Sequence, residues 1–144
     1  MYDKRSESTM LAHREGNRSL LVVAGEPSGD GIASRVMDVV LRQQPVRPFG
    51  VGGARMAGAG VELIDHIDGL TAMGIGDVAW RLARWTKAWA RIREQVAKRR
   101  PAVALLVDSP DLNLPLARIL NRTGIKVVTY VGPQVWAWRK RRLN

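Results

Sequence analysis

The sequence predicts an α/β fold, a Rossmann-like parallel sheet with crossover helices. Short apolar runs typical of buried strands alternate with amphipathic segments of helical period. Glycine-containing and polar loops follow these runs, among them Gly25 to Gly31, Gly52 with Gly53, and Asp108 to Asp111. Ligands of parallel α/β sheets bind beyond the carboxyl ends of the strands. We therefore expect the functional residues in these loops.

The apolar runs define five strands, expected over residues 19–24, 47–51, 61–64, 102–107 and 126–131. The first connection is a helix whose apolar side chains recur at Ile32, Val36, Val39 and Val40. A short helical turn is expected between the second and third strands. A helix through residues 116–120 precedes Gly124, which is placed like a C-terminal cap.

The longest amphipathic segment lies before the fourth strand. Its predicted apolar stripe consists of Val78, Leu82, Trp85, Trp89, Ile92 and Val96. Pro101 requires this helix to end before it.

The chain divides into an extension and one domain. Residues 1–18 are polar and without periodicity, which predicts a flexible N-terminal extension. Residues 19–144 are expected to form a single Rossmann-like domain. The last residues, VGPQVWAWRKRRLN, complete a strand and a loop without a following helix, so we expect this domain to be incomplete.

Composition limits the possible functions. The chain has 144 residues, 46% of them hydrophobic, which suffices for one domain with a core. It contains no cysteine and two histidines, so we expect no zinc or iron site. No apolar run approaches the roughly 18 residues of a membrane span, and we expect a cytoplasmic protein. The net charge of +10 favours an anionic partner.

The loop GEPSGD carries the first candidate residues. Gly25 and Gly29 allow the backbone to approach a ligand, and Ser28 or Asp30 is a candidate cap for the following helix. Glu26 is suited to accept hydrogen bonds from sugar hydroxyls or amides. These residues indicate a polar, uncharged part of a ligand.

Asp108 is the candidate catalytic residue. It follows the apolar run 103–107 directly, so its carboxylate is expected at the mouth of the sheet, where it can act as a general base toward a hydroxyl. The alternative is that Asp108 or Asp111 caps the next helix, a role that Asp111 fits better.

Basic and aromatic side chains define candidate contacts with an anionic surface. On the long helix these are Arg81, Arg84 and Arg91, and in the tail they are Trp136, Trp138 and Arg139. Such residues stack on bases or lie at a membrane interface. The alternative is a solvated charged face with internal tryptophans.

Five motifs in order carry a resemblance to a known family. AGEPSGD, GVGGARMAGAG, LTAMGIGDV, DSPDLN and VGPQVWAWRKRR together resemble the amino-terminal half of the lipid-A-disaccharide synthases. The resemblance implies an inverting glycosyltransferase of GT-B type. In that family the amino-terminal domain receives the acceptor, and a carboxyl-terminal domain, absent from this chain, binds most of the UDP.

The resemblance also implies a reaction and a location. The family transfers diacylglucosamine from its UDP-activated form to diacylglucosamine 1-phosphate, which makes a β-1,6-linked disaccharide and releases UDP. It needs no metal or other cofactor, works at the cytoplasmic face of the inner membrane, and forms dimers.

Site residues follow from the resemblance by position. Glu26, Ser28, Gly29 and Asp30 occupy the first family loop, Met73 and Gly74 the second, and Asp108 the essential acidic position. Pro27 and Gln134 depart from the usual residues of the family and are given no role.

A hypothesis of another class is a small basic module that binds RNA or single-stranded DNA. It accounts for the charge and the tryptophans but gives GEPSGD and Asp108 no role.

Overall fold

The structure is a computed structural model that describes residues 18–68 and 78–130, with the side chains of residues 78–81 excepted. Its elements in chain order are β1 (Arg18–Ala24), α1 (Pro27–Gln43), β2 (Val46–Gly52), α2 (Ala54–Gly58), β3 (Glu62–His66), α3 (Val78–Arg99), β4 (Val103–Val107), α4 (Pro110–Arg122) and β5 (Lys126–Tyr130). The predicted strands are confirmed, with ends that shift by about one or two residues.

The described strands form one parallel sheet in the order β3-β2-β1-β4-β5. This confirms the predicted Rossmann-like α/β class. The chain builds the sheet outward from β1 through β2 to β3, and then returns to place β4 on the other side of β1. The direction of winding therefore reverses between β1 and β4, which makes their carboxyl ends the topological switch point of the sheet.

Helices cover both faces of the sheet, as a parallel sheet requires. On one face α1 and α2 contribute Ala33, Met37 and Met56 to a core with Val22 and Val107. On the other face, α3 and α4 pack on the odd-numbered residues of β1 and on the side chains of β2 and β4 that lie on that same face. Both faces of β1 are thus buried, which explains its uninterrupted apolar sequence from Leu20 to Ala24.

The predicted stripe of α3 is correct at its carboxyl-terminal end and wrong at Leu82. The residues that pack on or into the core are Trp85, Ala88, Trp89, Ile92 and Val96, whereas the Leu82 side chain is 53% exposed. Twenty-two helical residues span about 33 Å, but a five-residue strand spans only about 17 Å. Leu82 therefore lies beyond the strands that the helix covers. Val39, predicted on the stripe of α1, is likewise 52% exposed.

Gly124 ends α4 as predicted. Its φ of +80° is readily adopted by glycine. Its N–H donates to the carbonyl of Asn121 at 3.1 Å, and the N–H of Ile125 donates to that of Leu120 at 3.3 Å. These two bonds form a Schellman motif. The motif turns the chain directly into β5.

We expect Ile92→Ala to lower the free energy of unfolding by about 2–5 kcal/mol, because it leaves a cavity in a fully buried part of the core. Leu82→Ala removes the same number of side-chain atoms at an exposed position, and its effect should stay within about 0.5 kcal/mol. Urea unfolding of the two variants measures the difference. Equal losses would contradict the orientation of α3.

Candidate active site

The loops that follow β1 and β4 meet at the carboxyl edge of the sheet. The Ser28 hydroxyl donates a hydrogen bond to Oδ2 of Asp108 at 2.7 Å, although the two residues are 80 positions apart. Ser28 is exposed and Asp108 is partly exposed. The structure thus brings two of the predicted site residues into direct contact, where a ligand can reach them.

Gly29 allows these two loops to approach closely. A Cβ atom at this position would lie 3.1 Å from the carbonyl oxygen of Val107 and 3.3 Å from Cβ of Asp108. Both distances are shorter than ordinary van der Waals contact. Gly29 therefore packs the first turn of α1 against the end of β4, and this contact helps to bring Ser28 to Asp108.

Glu26 occupies the N-cap position of α1, but its side chain makes no capping hydrogen bond. Its backbone carbonyl accepts the N–H of Asp30 at 2.9 Å. The residue is exposed at the same edge of the sheet as Ser28. Its carboxylate is therefore placed to accept hydrogen bonds from a ligand.

Asp30 has a structural role that the sequence did not reveal. The expectation that it caps its own helix is wrong, because it lies inside the first turn of α1. It is 4% exposed, and its carboxylate accepts hydrogen bonds from the N–H groups of Gly53 at 2.7 Å, Met56 at 3.0 Å and Arg55 at 3.2 Å. Asp30 thus caps α2 and joins the loops after β1 and β2.

The turn from β4 into α4 is built from two left-handed residues. Asp108 has a φ of +53° and Ser109 a φ of +47°, a conformation that costs a non-glycine residue about 1–3 kcal/mol. The side-chain amide of Asn113 donates to the carbonyl of Val107 at 3.2 Å and to that of Asp108. Sequence reasoning gave Ser109 and Asn113 no role.

Neither aspartate of this turn caps α4. The N-cap residue is Ser109, and its side chain makes no capping hydrogen bond. Asp111 lies exposed in the first turn, where a negative charge is favourable to the helix dipole. The capping alternative for Asp108 and Asp111 is therefore wrong, and the Asp108 carboxylate is left to interact with Ser28.

The cations of α3 differ in their surroundings. Arg91 forms an ion pair with Asp65 of β3 at 3.0 Å. Arg99 forms one with Glu62 at 2.6 Å, and its hydrogen bonds lower the pKa of that carboxyl group. Arg84 is half-buried. Part of the positive charge predicted for this helix is therefore balanced by acidic residues of β3.

Several candidate residues cannot be placed. Met73, Gly74, Trp136, Trp138 and Arg139 lie outside the described residues, and Arg81 belongs to α3 in the turn whose side chains are not described. Within residues 18–68 and 78–130, no three acidic or histidine side chains converge on a point that could hold a metal ion. No helix of that part of the chain is long and apolar enough to cross a membrane.

The fold and the site define a class of protein. A Rossmann-like sheet whose polar loops converge at the switch point is the ligand-binding arrangement of open α/β proteins, and it is consistent with the amino-terminal part of a GT-B glycosyltransferase. A family model described as lipid-A-disaccharide synthetase matches residues 20–144. The chain belongs to this family.

Individual relatives agree with the family match. The chain is 43% identical over 126 residues to the lipid-A-disaccharide synthase of Myxococcus xanthus, an alignment that covers 87% of this chain and 33% of that protein. It is 37% identical over 129 residues to the synthase of Syntrophus aciditrophicus, covering 89% and 34%. The chain thus spans about a third of the length of the curated relatives it matches. These matches do not favour the nucleic-acid-binding hypothesis.

We expect Asp30→Asn to lower the free energy of unfolding by about 1–3 kcal/mol. An amide offers one acceptor oxygen in place of two and brings an NH₂ group toward backbone N–H donors that need an acceptor. Asp38→Asn, on the exposed side of the same helix, is the matched control and should have almost no effect. A similar loss in both variants, measured by urea unfolding, would rule out the cap of α2 as the cause.

Proposed function

We propose that this chain is the acceptor-side part of a lipid-A-disaccharide synthase. The complete enzyme transfers 2,3-diacylglucosamine from its UDP-activated form to 2,3-diacylglucosamine 1-phosphate, producing the β-1,6-linked disaccharide 1-phosphate and UDP. The observation that carries the proposal is the contact between Ser28 and Asp108 at the switch point, 2.7 Å between Oγ and Oδ2. It joins two motifs on which the family resemblance rests.

Asp108 is the general base of this reaction. Its carboxylate takes the proton from the 6-hydroxyl of the acceptor while the hydroxyl oxygen forms a bond to the anomeric carbon of the donor. The bond from that carbon to the UDP oxygen breaks, and its electron pair leaves with UDP. Attack from the face opposite the leaving group inverts the anomeric carbon, as water does in the inverting glycosidases.

Ser28 and Glu26 orient the reacting groups. The Ser28 hydroxyl holds one oxygen of Asp108, which leaves the other oxygen for the acceptor. The exposed carboxylate of Glu26 accepts hydrogen bonds from acceptor hydroxyls. Gly29 keeps the two loops close, and Asp30 acts indirectly by holding the loop after β2. Met73 and Gly74 are proposed as substrate contacts on the basis of the family resemblance alone.

The remainder of the enzyme supplies the donor site. Arg18, expected at the end of an extension, is the first residue of β1 and so belongs to the acceptor domain with the other described residues. In the complete enzyme a carboxyl-terminal domain binds UDP. Cations and helix N-termini of that domain stabilise the departing diphosphate.

The enzyme works on lipid substrates at the cytoplasmic face of the inner membrane and forms a homodimer when complete. Support for a peripheral contact comes from the basic surface of α3. Arg91 is largely exposed at its side chain, and basic residues close to a surface of anionic lipids contribute about 1 kcal/mol each. Trp136, Trp138 and Arg139 are candidates for the same surface.

We expect UDP release from the two substrates when this chain is mixed with a separately expressed carboxyl-terminal part of the Myxococcus xanthus relative. Asp108→Asn keeps an acceptor for the Ser28 hydroxyl but is a far weaker base, and it should lower kcat by about 10²–10⁴-fold. Asp38→Asn is the control and should retain full activity. The chain alone should release almost no UDP.

Two results would overturn the assignment. An unchanged kcat in Asp108→Asn would show that Asp108 is not the general base. No UDP release from the mixture, with the chain shown to be folded by circular dichroism, would remove the proposal that this polypeptide takes part in the reaction.

We expect the triple variant Arg81→Glu, Arg84→Glu, Arg91→Glu to bind phosphatidylglycerol vesicles at least about tenfold more weakly, as judged by sedimentation at low salt. The control carries the same change of charge on exposed residues near α1, with Arg35→Glu, Arg42→Glu and Arg47→Glu. If both triple variants lose vesicle affinity equally, the loss reflects net charge and not the position of α3. If the α3 variant loses no affinity, α3 is not a membrane contact.

A further inference from the structure

The Asp108–Ser109 turn is an unusual way to connect a strand to a helix. Both residues are left-handed, with φ values of +53° and +47°, and neither is glycine. A turn that served the fold alone would be less strained with glycine at one of these positions. Strained backbone of this kind persists only where the surrounding structure holds it.

Asn113 is the side chain that holds this turn. It is 4% exposed, and its amide nitrogen donates both to the carbonyl of Val107 at 3.2 Å and to that of Asp108. These carbonyls stand on either side of the Asp108 α-carbon. The two bonds therefore fix the orientation of the peptide planes between which the Asp108 side chain projects.

Two buried side-chain atoms at the turn make no hydrogen bond that could hold it. The buried Oδ1 of Asn113 and the buried Oγ of Ser109 have no hydrogen-bond partner among the described residues. Ser109 stands at the N-cap of α4 without capping it by its side chain. Backbone bonds also hold the turn: the Asp108 N–H donates to the Tyr130 carbonyl at 3.2 Å, and the Ser109 carbonyl accepts the Asn113 N–H at 2.9 Å. The amide nitrogen of Asn113 is the side-chain donor to the two carbonyls around the Asp108 α-carbon, and the turn leaves two buried side-chain atoms unsatisfied.

We propose that Asn113 is a positioning residue, which keeps the Asp108–Ser109 turn left-handed and so directs the Asp108 carboxylate onto the Ser28 hydroxyl. The catalytic consequence rests on the proposed function above, whereas the geometric one does not. Without the two carbonyl bonds, Asp108 and Ser109 relax toward negative φ, and the carboxylate turns away from Ser28. The Asp108 carboxylate is then misplaced for taking the proton from the acceptor hydroxyl.

The geometric claim is tested on this chain by NMR, with the side-chain ¹³Cγ resonance of Asp108 as the probe. Ser28→Ala defines the shift that follows loss of the hydroxyl bond. Asn113→Ala should move the resonance in the same direction. Should Asn113→Ala not fold, Asn113→Ser, which keeps one donor, should give a smaller shift of the same sign.

A rescue experiment separates positioning from general stability. Glycine adopts positive φ without steric cost, so Ser109→Gly added to Asn113→Ala should return the Asp108 resonance toward its original position. The matched control adds Arg100→Gly instead, because Arg100 also has a positive φ, +46°, at the opposite edge of the sheet. It relieves similar strain and should not restore the resonance.

The kinetic claim is tested in the UDP-release mixture. Asn113→Ala should lower kcat by about 10- to 100-fold, as expected for a misplaced reacting group, and should leave the KM for the acceptor nearly unchanged. Ser109→Gly should recover part of the lost kcat, and Arg100→Gly none.

Three results would overturn the proposal. The first is an Asp108 resonance that does not move in a folded Asn113 variant. The second is an equal rescue of the Asp108 resonance by Arg100→Gly and Ser109→Gly, which would show that Asn113 supports general stability and does not position Asp108. The third is a loss confined to KM. A wild-type mixture without activity would overturn the proposed function instead, and the NMR shifts would still decide the geometry.

Discussion

β1 and β4 pair in parallel from Leu20 opposite Val103 to Ala24 opposite Val107, and the candidate site depends on this pairing. The strands end level with each other, so the two loops leave the sheet at the same height. This is why Ser28 and Asp108 meet despite their separation in the sequence. A shift of register by one residue would move every side chain of β4 to the opposite face of the sheet, and the two buried cores oppose such a shift.

The loops above this pairing are held by hydrogen bonds from side chains to the backbone. Asp30 binds three N–H groups at the start of α2, and Asn113 binds two carbonyl groups at the end of β4. In each case a buried side chain satisfies backbone groups at the end of a strand or the start of a helix. Polar groups fixed in this way need little reorganisation when charge develops during a reaction.

The fold could be predicted from the sequence because its signals are local. Buried parallel strands appear as continuous apolar runs, and a glycine just after a helical segment predicts the positive φ that ends α4. Leu82 was placed wrongly because a helical stripe does not reveal how far a helix extends beyond its sheet. The partners of Asp30 lie 23 to 26 residues away, and no local pattern encodes them. Asn113 was missed because Asp-Ser does not signal a left-handed turn as glycine would.

The cap that Asp30 provides for α2 links the evolution of two separate segments. A Cβ atom at Gly53 would lie 2.7 Å from a carboxylate oxygen of Asp30, so no side chain fits at position 53 while Asp30 keeps its place. Substitutions in contact are not additive. A lineage that acquires a larger residue at one position must therefore change the other as well, and the two positions should covary within the family.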